Sequence, residues 1–185
     1  QIFLTALLVT AASALVYFAL QLIQADDLSK LNRAIYYHFA INGFFLLFTY
    51  PLMLVIEKTF GFTSTVTLFE LSNTNNPLLR ELSEKAPGTF QHSITVGNLA
   101  SEIANKIGAK AQLVRTGALY HDIGKMENAV YFTENQAVFN PHDKLTEIES
   151  AALIIGHVTD GLRLAEEYNL PQVIRDFIAT HHGLG

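Results

Sequence analysis

From Ile2 to Ile23 the sequence runs for 22 residues without a formal charge, and from Ala34 to Ile56 it does so again. At 1.5 Å per residue the first run makes a helix of about 33 Å, enough to cross the ~30 Å hydrocarbon core of a bilayer. The second carries Phe39, Phe44, Phe45, Leu46, Leu47 and Phe48, with His38, Asn42 and Pro51 of the kinds that packed membrane helices tolerate. His38 is expected to hydrogen-bond a neighbouring helix rather than bind metal. Gln24 to Arg33 is short and polar, so the two runs are expected to form an antiparallel transmembrane hairpin. A cleaved signal peptide is the competing reading of the first run. The absence of a basic n-region and of an obvious cleavage site speaks against it, as does the second span that follows at once. Basic residues flanking the spans are too few to orient them. Opening at Gln1 inside a hydrophobic run is the pattern expected of an excerpt from a longer protein.

Beyond Phe62 the pattern changes to helical periods with punctuation. Asn73 to Asn76 make a polar turn, and Pro77 suits the first position of a helix continuing through Leu78, Leu79 and Leu82. Pro87-Gly88-Thr89 is expected to break that helix. An apolar stripe follows at Ile94, Val96, Leu99, Ile103, Ala104 and Ile107, closed by Gly108 as a helix C-terminal glycine. Further helices are expected over Ala111 to Ile123, stopping at Gly124, over Thr146 to Tyr168, and over Gln172 to His181. Residues 126–143 show no period and hold Asn-Pro, which reads as an ordered loop long enough to be functional. Nothing alternates like a strand over a useful length.

Composition sharpens the division. Half the residues are hydrophobic and 16% are charged, against about 25% charged in ordinary globular chains, and mean hydropathy is +0.25. Six of the 29 charged side chains fall in residues 1–60, where they cancel; the whole net charge of −5 lies beyond them. The soluble part, about 125 residues, can bury one core without staples. Absence of cysteine excludes disulfides, thiolate metal sites and cysteine nucleophiles. Net acidity argues against a nucleic acid polymer as partner.

Five histidines stand in the helical region: His92, His121, His157, His181 and His182. Any one of them alone is more often a satisfied core or surface residue. The set has more to say. His121 and Asp122 are adjacent, and neighbours on a helix differ by about 100° in direction, but at a helix end both can converge on one cation. Imidazole with carboxylate suits iron, manganese or zinc, and helical bundles build metal sites from several helices at once.

Phe90-Gln91-His92-Ser93, His121-Asp122-Ile123-Gly124-Lys125, His157 and His181-His182-Gly183 together resemble the HD phosphohydrolase superfamily. More closely, they resemble its seven-transmembrane receptors with an intracellular HD domain, the membrane-bound cyclic di-AMP phosphodiesterases. Phe69 to Asn76, then Pro77, Leu78 and Leu79, is similar to that family's junction between last span and catalytic domain. The resemblance covers essentially the whole chain. It implies an all-α fold, two transmembrane helices followed by an HD-type helical bundle, C-terminally truncated. Residues 1–60 would be the hairpin, 61–88 a linker and connecting helix, and 89–185 the metal-dependent phosphohydrolase domain. Ile2–Ile23 and Ala34–Ile56 would be the sixth and seventh spans of a multi-pass protein of the cytoplasmic membrane, with the HD domain in the cytoplasm. The implied metal ligands are His92, His121, Asp122, His157, His181 and His182. Asp122 would bridge two divalent transition metals, iron or manganese, with His92 and His121 on one and the other three histidines largely on the second. The family's further aspartate, on a later helix, has no counterpart before Gly185.

Two cations about 3.5–4 Å apart neutralise a phosphodiester and activate the attacking water. Asp122 and Lys125 are the catalytic candidates; Lys125 would meet a phosphate oxygen, with pairing to the helix C-terminal dipole as the equal alternative. Tyr131, Phe132 and Phe139 are candidates to cover an adenine, though tethering of the loop is the more ordinary role for each. His142, after Pro141, is expected at the surface. The implied substrate is cyclic di-AMP, opened to linear pApA; the lipid bilayer is a partner, and a homo-oligomer stays open. Cyclic di-GMP is the alternative substrate. The HD enzymes for it carry a Glu after the second paired histidine, where this chain has Gly183. A non-catalytic nucleotide receptor is a third reading, disfavoured by six metal-type side chains.

Overall fold

The computed structural model describes residues 2–24, 34–136 and 139–183. The α-helices are α1 (Ile2–Gln24), α2 (Ala34–Phe60), α3 (Thr65–Leu71), α4 (Pro77–Lys85), α5 (Pro87–Lys106), α6 (Ala111–Tyr120), α7 (Glu147–Glu167) and α8 (Gln172–Thr180). No strand occurs among the described residues, and the fold is all-α. The polar connection with Asp26, Asp27, Lys30 and Arg33 lies outside the described residues. The chain forms two units, Gln1–Phe62 and Thr63–Gly185.

In the first unit α1 and α2 are long and apolar enough to cross a membrane, with mean hydropathies of 2.1 and 2.0. They pack antiparallel: Thr10 lies against Gly43, and the Tyr17 ring meets Tyr36 and Phe39. A side chain at Gly43 would come within 2.7 Å of the Thr10 hydroxyl, so glycine permits the close approach. Helix α2 continues past Ile56 through Glu57 and Lys58 until Gly61, at φ +68°, takes the left-handed cap conformation. Among the described residues the hydrogen bond of His38 is within its own helix: its Nδ1 donates to the Ala34 carbonyl at 3.2 Å. The carbonyl one turn back lies within reach of a helical side chain.

The second unit is a helical bundle centred on α4, whose Leu78, Leu79 and Leu82 are fully buried. Asn76 caps α4 by accepting from the Leu78 N–H at 3.1 Å, and Pro77 occupies the first turn. Helix α3 had no visible period, being seven residues long; Ser64 caps it by accepting from the Thr67 N–H at 3.2 Å. Its inner side is fixed by Leu68 in the core and by the Tyr120 hydroxyl, which donates to the Leu71 carbonyl at 2.8 Å. Pro87 does not delay the next helix. Ala86 alone turns the chain (φ −136°, ψ 68°), and α5 starts on Pro87, whose missing N–H costs nothing in a first turn.

The stripe expected on α5 divides. Ala104 is buried and Ile94 packs against the core, but Leu99, Ile103 and Ile107 are exposed. Thr89, Ser93, Gly97 and Ala104 form the buried face instead. Small side chains let α5 lie close to α6: a Cβ at Gly97 would sit 3.3 Å from the Arg115 carbonyl oxygen. Gly108 does end α5, at φ +71°.

Helix α6 stops at Tyr120, three residues short of expectation, because Asp122 (φ −112°, ψ 16°) leaves the helical region and the chain tightens into a 3-10 helix, Ile123–Tyr131. Residues 126–143, expected as a loop, continue in 3-10 turns at Thr133–Asn135 and Pro141–Lys144. His142 is half-buried, not at the surface: its Nε2 donates to the Tyr131 carbonyl at 2.8 Å and its Nδ1 accepts from the Ser150 hydroxyl at 2.6 Å. It pins the aperiodic segment to α7. Thr146 and Glu149 cap α7 reciprocally in a capping box.

Candidate metal centre

Three tight helix contacts bring the histidines together. Gly124 was expected to turn a helix end, but its φ is not left-handed and its role is proximity: a Cβ there would lie 1.9 Å from the His157 carbonyl oxygen and 2.4 Å from the Gly161 nitrogen. The 3-10 turn after Asp122 thus rests directly on the backbone of α7. Gly117 accepts the Phe177 ring, whose atoms would stand 2.4 Å from a Cβ, drawing α8 onto α6. The third contact is α5 on α6, through the small-residue face that Gly97 opens.

His92, His121 and Asp122 form one group whose ligand atoms lie within 4.8 Å of one another, and His157, His181 and His182 form a second. Asp122, 3% exposed, stands between them. Its Oδ2 lies 3.1 Å from His121 Nε2, while its Oδ1 lies 3.3 Å from His181 Nε2 and 3.5 Å from His157 Nε2. His92 is exposed, with its ring 5.8 Å from that of His121.

The protons on these rings are assigned by their backbone partners. His121 Nδ1 donates to the Ala118 carbonyl at 2.6 Å, His181 Nδ1 donates to the Ile178 carbonyl at 2.9 Å, and His157 Nδ1 donates to the Ile154 carbonyl. A carbonyl only accepts, so each neutral ring keeps a bare lone pair on Nε2. Those lone pairs face each other: His157 Nε2 is 3.2 Å from the Nε2 atoms of both His181 and His182. They also face Asp122 Oδ1, a buried oxygen without a hydrogen-bond donor among the described residues. Lone pairs and an anionic oxygen crowded this way repel unless a proton or a cation lies among them. Backbone carbonyls that fix the tautomer and aim Nε2 are also the usual outer support of metal-bound histidine. The donor set fits a divalent metal in each group.

Charge follows the geometry. Burial raises the Asp122 pKa, but His121 and Lys125 outweigh it and hold the carboxyl well below the usual range. Burial lowers that of His121, yet the adjacent Asp122 carboxylate leaves it raised; His181 is lowered, chiefly by burial. Lys125 is committed to neighbours, with Nζ 2.8 Å from Asp122 Oδ2 and 2.9 Å from Glu134 Oε1. Glu134 Oε1 also accepts from the Thr89 hydroxyl at 3.0 Å, and Asn135 Oδ1 accepts from the Thr89 N–H at 3.1 Å. A polar chain therefore runs from the start of α5 through Glu134 and Lys125 to Asp122. Glu134, Asn135 and Thr89 carried no signal in the sequence, because they lie in aperiodic or helix-starting segments and meet only across 45 or more residues. Of the three aromatic candidates, Phe132 is buried with its ring 5.8 Å from that of His157 and 5.1 Å from Lys125 Nζ. Tyr131 packs on His142, and Phe139 is 69% exposed.

The model of the HD domain family matches residues 89–185. This chain belongs to the HD domain family. Membership in that family implies divalent metal binding, for which the two groups around Asp122 have the donor chemistry. Among curated HD proteins, the chain is 40% identical to the cyclic-di-AMP phosphodiesterase PgpH of Bacillus subtilis over 186 aligned residues, 99% of this chain and 26% of that protein. It is 48% identical to the cyclic-di-AMP phosphodiesterase PgpH of Listeria monocytogenes over 130 residues, 70% of this chain and 18% of that one. The chain thus spans about a quarter or less of the length of these two relatives. Two crystal structures of the HD domain of the L. monocytogenes protein match, one of them in complex with cyclic di-AMP. At 49% identity they superpose with TM-scores of 0.58 and 0.57, over 59% and 58% of this chain and 53% and 50% of those chains.

Proposed function

We propose that this chain is the membrane-proximal part of a phosphodiesterase that opens cyclic di-AMP to linear pApA, its HD domain facing the cytoplasm beneath the last two of seven spans. The observation that carries the reading is Asp122: one buried carboxylate presents each of its oxygens to a separate group of histidine nitrogens. The similarity to PgpH proteins named for cyclic di-AMP supplies the substrate. His92, His121 and Asp122 would hold one divalent metal, and Asp122 with His157, His181 and His182 the second; mixed imidazole and carboxylate donors favour iron or manganese.

Bound at such a site, two cations supply positive charge for the phosphate and an activated water. The chain's own residues do the rest. The carbonyls of Ala118, Ile154 and Ile178 keep the Nε2 lone pairs of His121, His157 and His181 aimed inward. Lys125, gripped by Asp122 and Glu134, keeps one cationic group beside the carboxylate, where an incoming phosphate oxygen competes for its remaining N–H. Phe132 keeps water off the closed side of His157. In the reaction a water oxygen adds to phosphorus, one P–O3′ bond breaks, and the 3′ oxygen takes up a proton. One ring-closing diester becomes a 5′-phosphate and a 3′-hydroxyl.

The full-length protein, supplied with iron or manganese, is tested on a panel of cyclic dinucleotides. Cyclic di-AMP should be turned over fastest, and Asp122→Asn should reduce that by at least 1,000-fold with folding kept, comparable to the loss of a principal charge-stabilising group. Near-native turnover by Asp122→Asn, or preference for cyclic di-GMP, overturns the reading.

A further inference from the structure

We propose that α3 is a membrane-contact helix whose outward apolar face lies in the headgroup region of a lipid bilayer, an inference that rests on reading α1 and α2 as spans. The inner side of α3 is consumed by the bundle, with Leu68 in the core and the Leu71 carbonyl held by the Tyr120 hydroxyl. On the outer side apolar side chains are exposed. Val66 and Phe69, three residues apart, share a face of the helix and are 39% and 60% exposed; Phe62, just before the Ser64 cap, is 50% exposed.

What covers this face follows from three observations. First, the tether is short. Helix α2 ends with Gly61 in its left-handed cap, and only Phe62, Thr63 and Ser64 separate that cap from α3. Three extended residues reach at most about 11 Å. With 27 residues, α2 is about 40 Å long, which exceeds the ~30 Å hydrocarbon core and leaves its end among the headgroups. A helix tied so closely to that end starts within or beside the interfacial layer. Second, the segment is nearly uncharged: between Lys58 and Arg80 Glu70 is the sole charged residue. Third, the exposed side chains of Phe62, Val66 and Phe69 are aromatic and aliphatic, the kinds that amphipathic helices sink into the boundary between headgroups and acyl chains. Fixed to the bundle on one side and to lipid on the other, α3 would hold the HD domain at a set distance from the bilayer surface.

This chain contains no tryptophan, so with any tryptophan elsewhere in the full-length protein replaced by phenylalanine a single introduced indole is the only reporter. The full-length protein is reconstituted into phosphatidylcholine vesicles whose acyl chains are brominated near the headgroup, with Phe69→Trp as the probe. Phe45→Trp, in the middle of α2, is the reference for the spans. Expected is at least twofold quenching of the Phe69→Trp indole by brominated lipid, together with shielding from aqueous iodide. Quenching in Phe45→Trp alone, with Phe69→Trp open to iodide, shows a face in water and overturns the proposal. Shielding of Phe69→Trp from both quenchers shows a protein occupant, such as a second copy of the chain, and overturns it equally. Absence of lipid quenching in both variants sinks the membrane reading itself, which separates that failure from the first.

Discussion

The Nδ1 protons of His121, His157 and His181 all point at carbonyls three residues upstream, on three different segments. At the residue scale this repeated detail matters more than any distance between rings, because in the neutral rings it puts the lone pair on Nε2 and concentrates lone pairs at the centre of the bundle. The two groups share only Asp122, so each should lose its metal separately. In the full-length protein, His92→Ala and His181→Ala are each expected to leave about one metal per chain where the proposed centre would hold two. Loss of one imidazole from a three- or four-ligand site weakens binding beyond the 10–100-fold typical of a supporting partner. Elemental analysis decides it; two metals retained in both variants would show that the ligands are divided otherwise. His92, exposed on α5, and the His181-His182 pair at the end of α8 were visible as residues in the sequence. Their partnership with particular carbonyls was not, since Nδ1 direction depends on each rotamer.

At the element scale glycine decides where the helices meet. Gly124→Ala would drive a Cβ into the His157 carbonyl and the Gly161 nitrogen, backbone atoms that cannot step aside as a side chain could. The substitution should cost about 3 kcal/mol or more, at the upper end of overpacking effects, and should reduce metal content because His157 and Asp122 are separated. Gly108→Ala strains a left-handed residue (φ +71°) with nothing within 4 Å of its Cβ. It should cost about 1 kcal/mol and leave metal binding intact. Chemical denaturation with metal analysis separates the two; equal metal loss in both would refute a positional role for Gly124. A second contact, between α4 and the end of α7, is electrostatic. Glu81 lies 2.7 Å from Lys85 Nζ and accepts from the Tyr168 hydroxyl at 2.7 Å, and these partners, Lys85 first, hold its pKa below the ordinary value. A carboxyl depressed on folding stabilises the fold above its unfolded pKa, and the benefit is lost as pH falls through the folded value. Glu81→Gln should therefore lower Tm by about 2 °C at pH 7, as expected of a partly exposed pair, with the difference closing below about pH 4. A Tm gap that is equal at both pH values would rule out charge as its source.

At the scale of the whole molecule the chain joins an apolar helical pair to a bundle that carries its chemistry, and the proposed function requires the two to face particular sides of a membrane. Two spans return the chain to its starting side, so Ser29→Cys in the connecting segment should react with an impermeant thiol reagent in intact cells, whereas Ser72→Cys should react only after lysis. Labelling of Ser72→Cys in intact cells would place the HD domain outside and exclude a cytoplasmic nucleotide as substrate. Much of this organisation was legible in the amino-acid order. Long uncharged runs can only be satisfied as helices in an apolar medium, so α1 and α2 were evident from composition. Caps such as Pro77, Gly108 and Thr146 act on their own few neighbours, and α4, the end of α5 and the start of α7 fall where those residues put them. Other features depended on what lies across the bundle. The buried face of α5 is its small-residue side, not its apolar stripe, because closeness to α6 outweighed the hydrophobicity of Leu99, Ile103 and Ile107. Gly124 is needed for proximity to α7 rather than for its own φ, His142 is a pin rather than a surface group, and Lys125 is paired through Glu134. A local pattern records the energy of a segment with itself and with its solvent. Contacts between segments are set only when helices pack, and there shape and partner availability, not periodicity, choose which side turns inward.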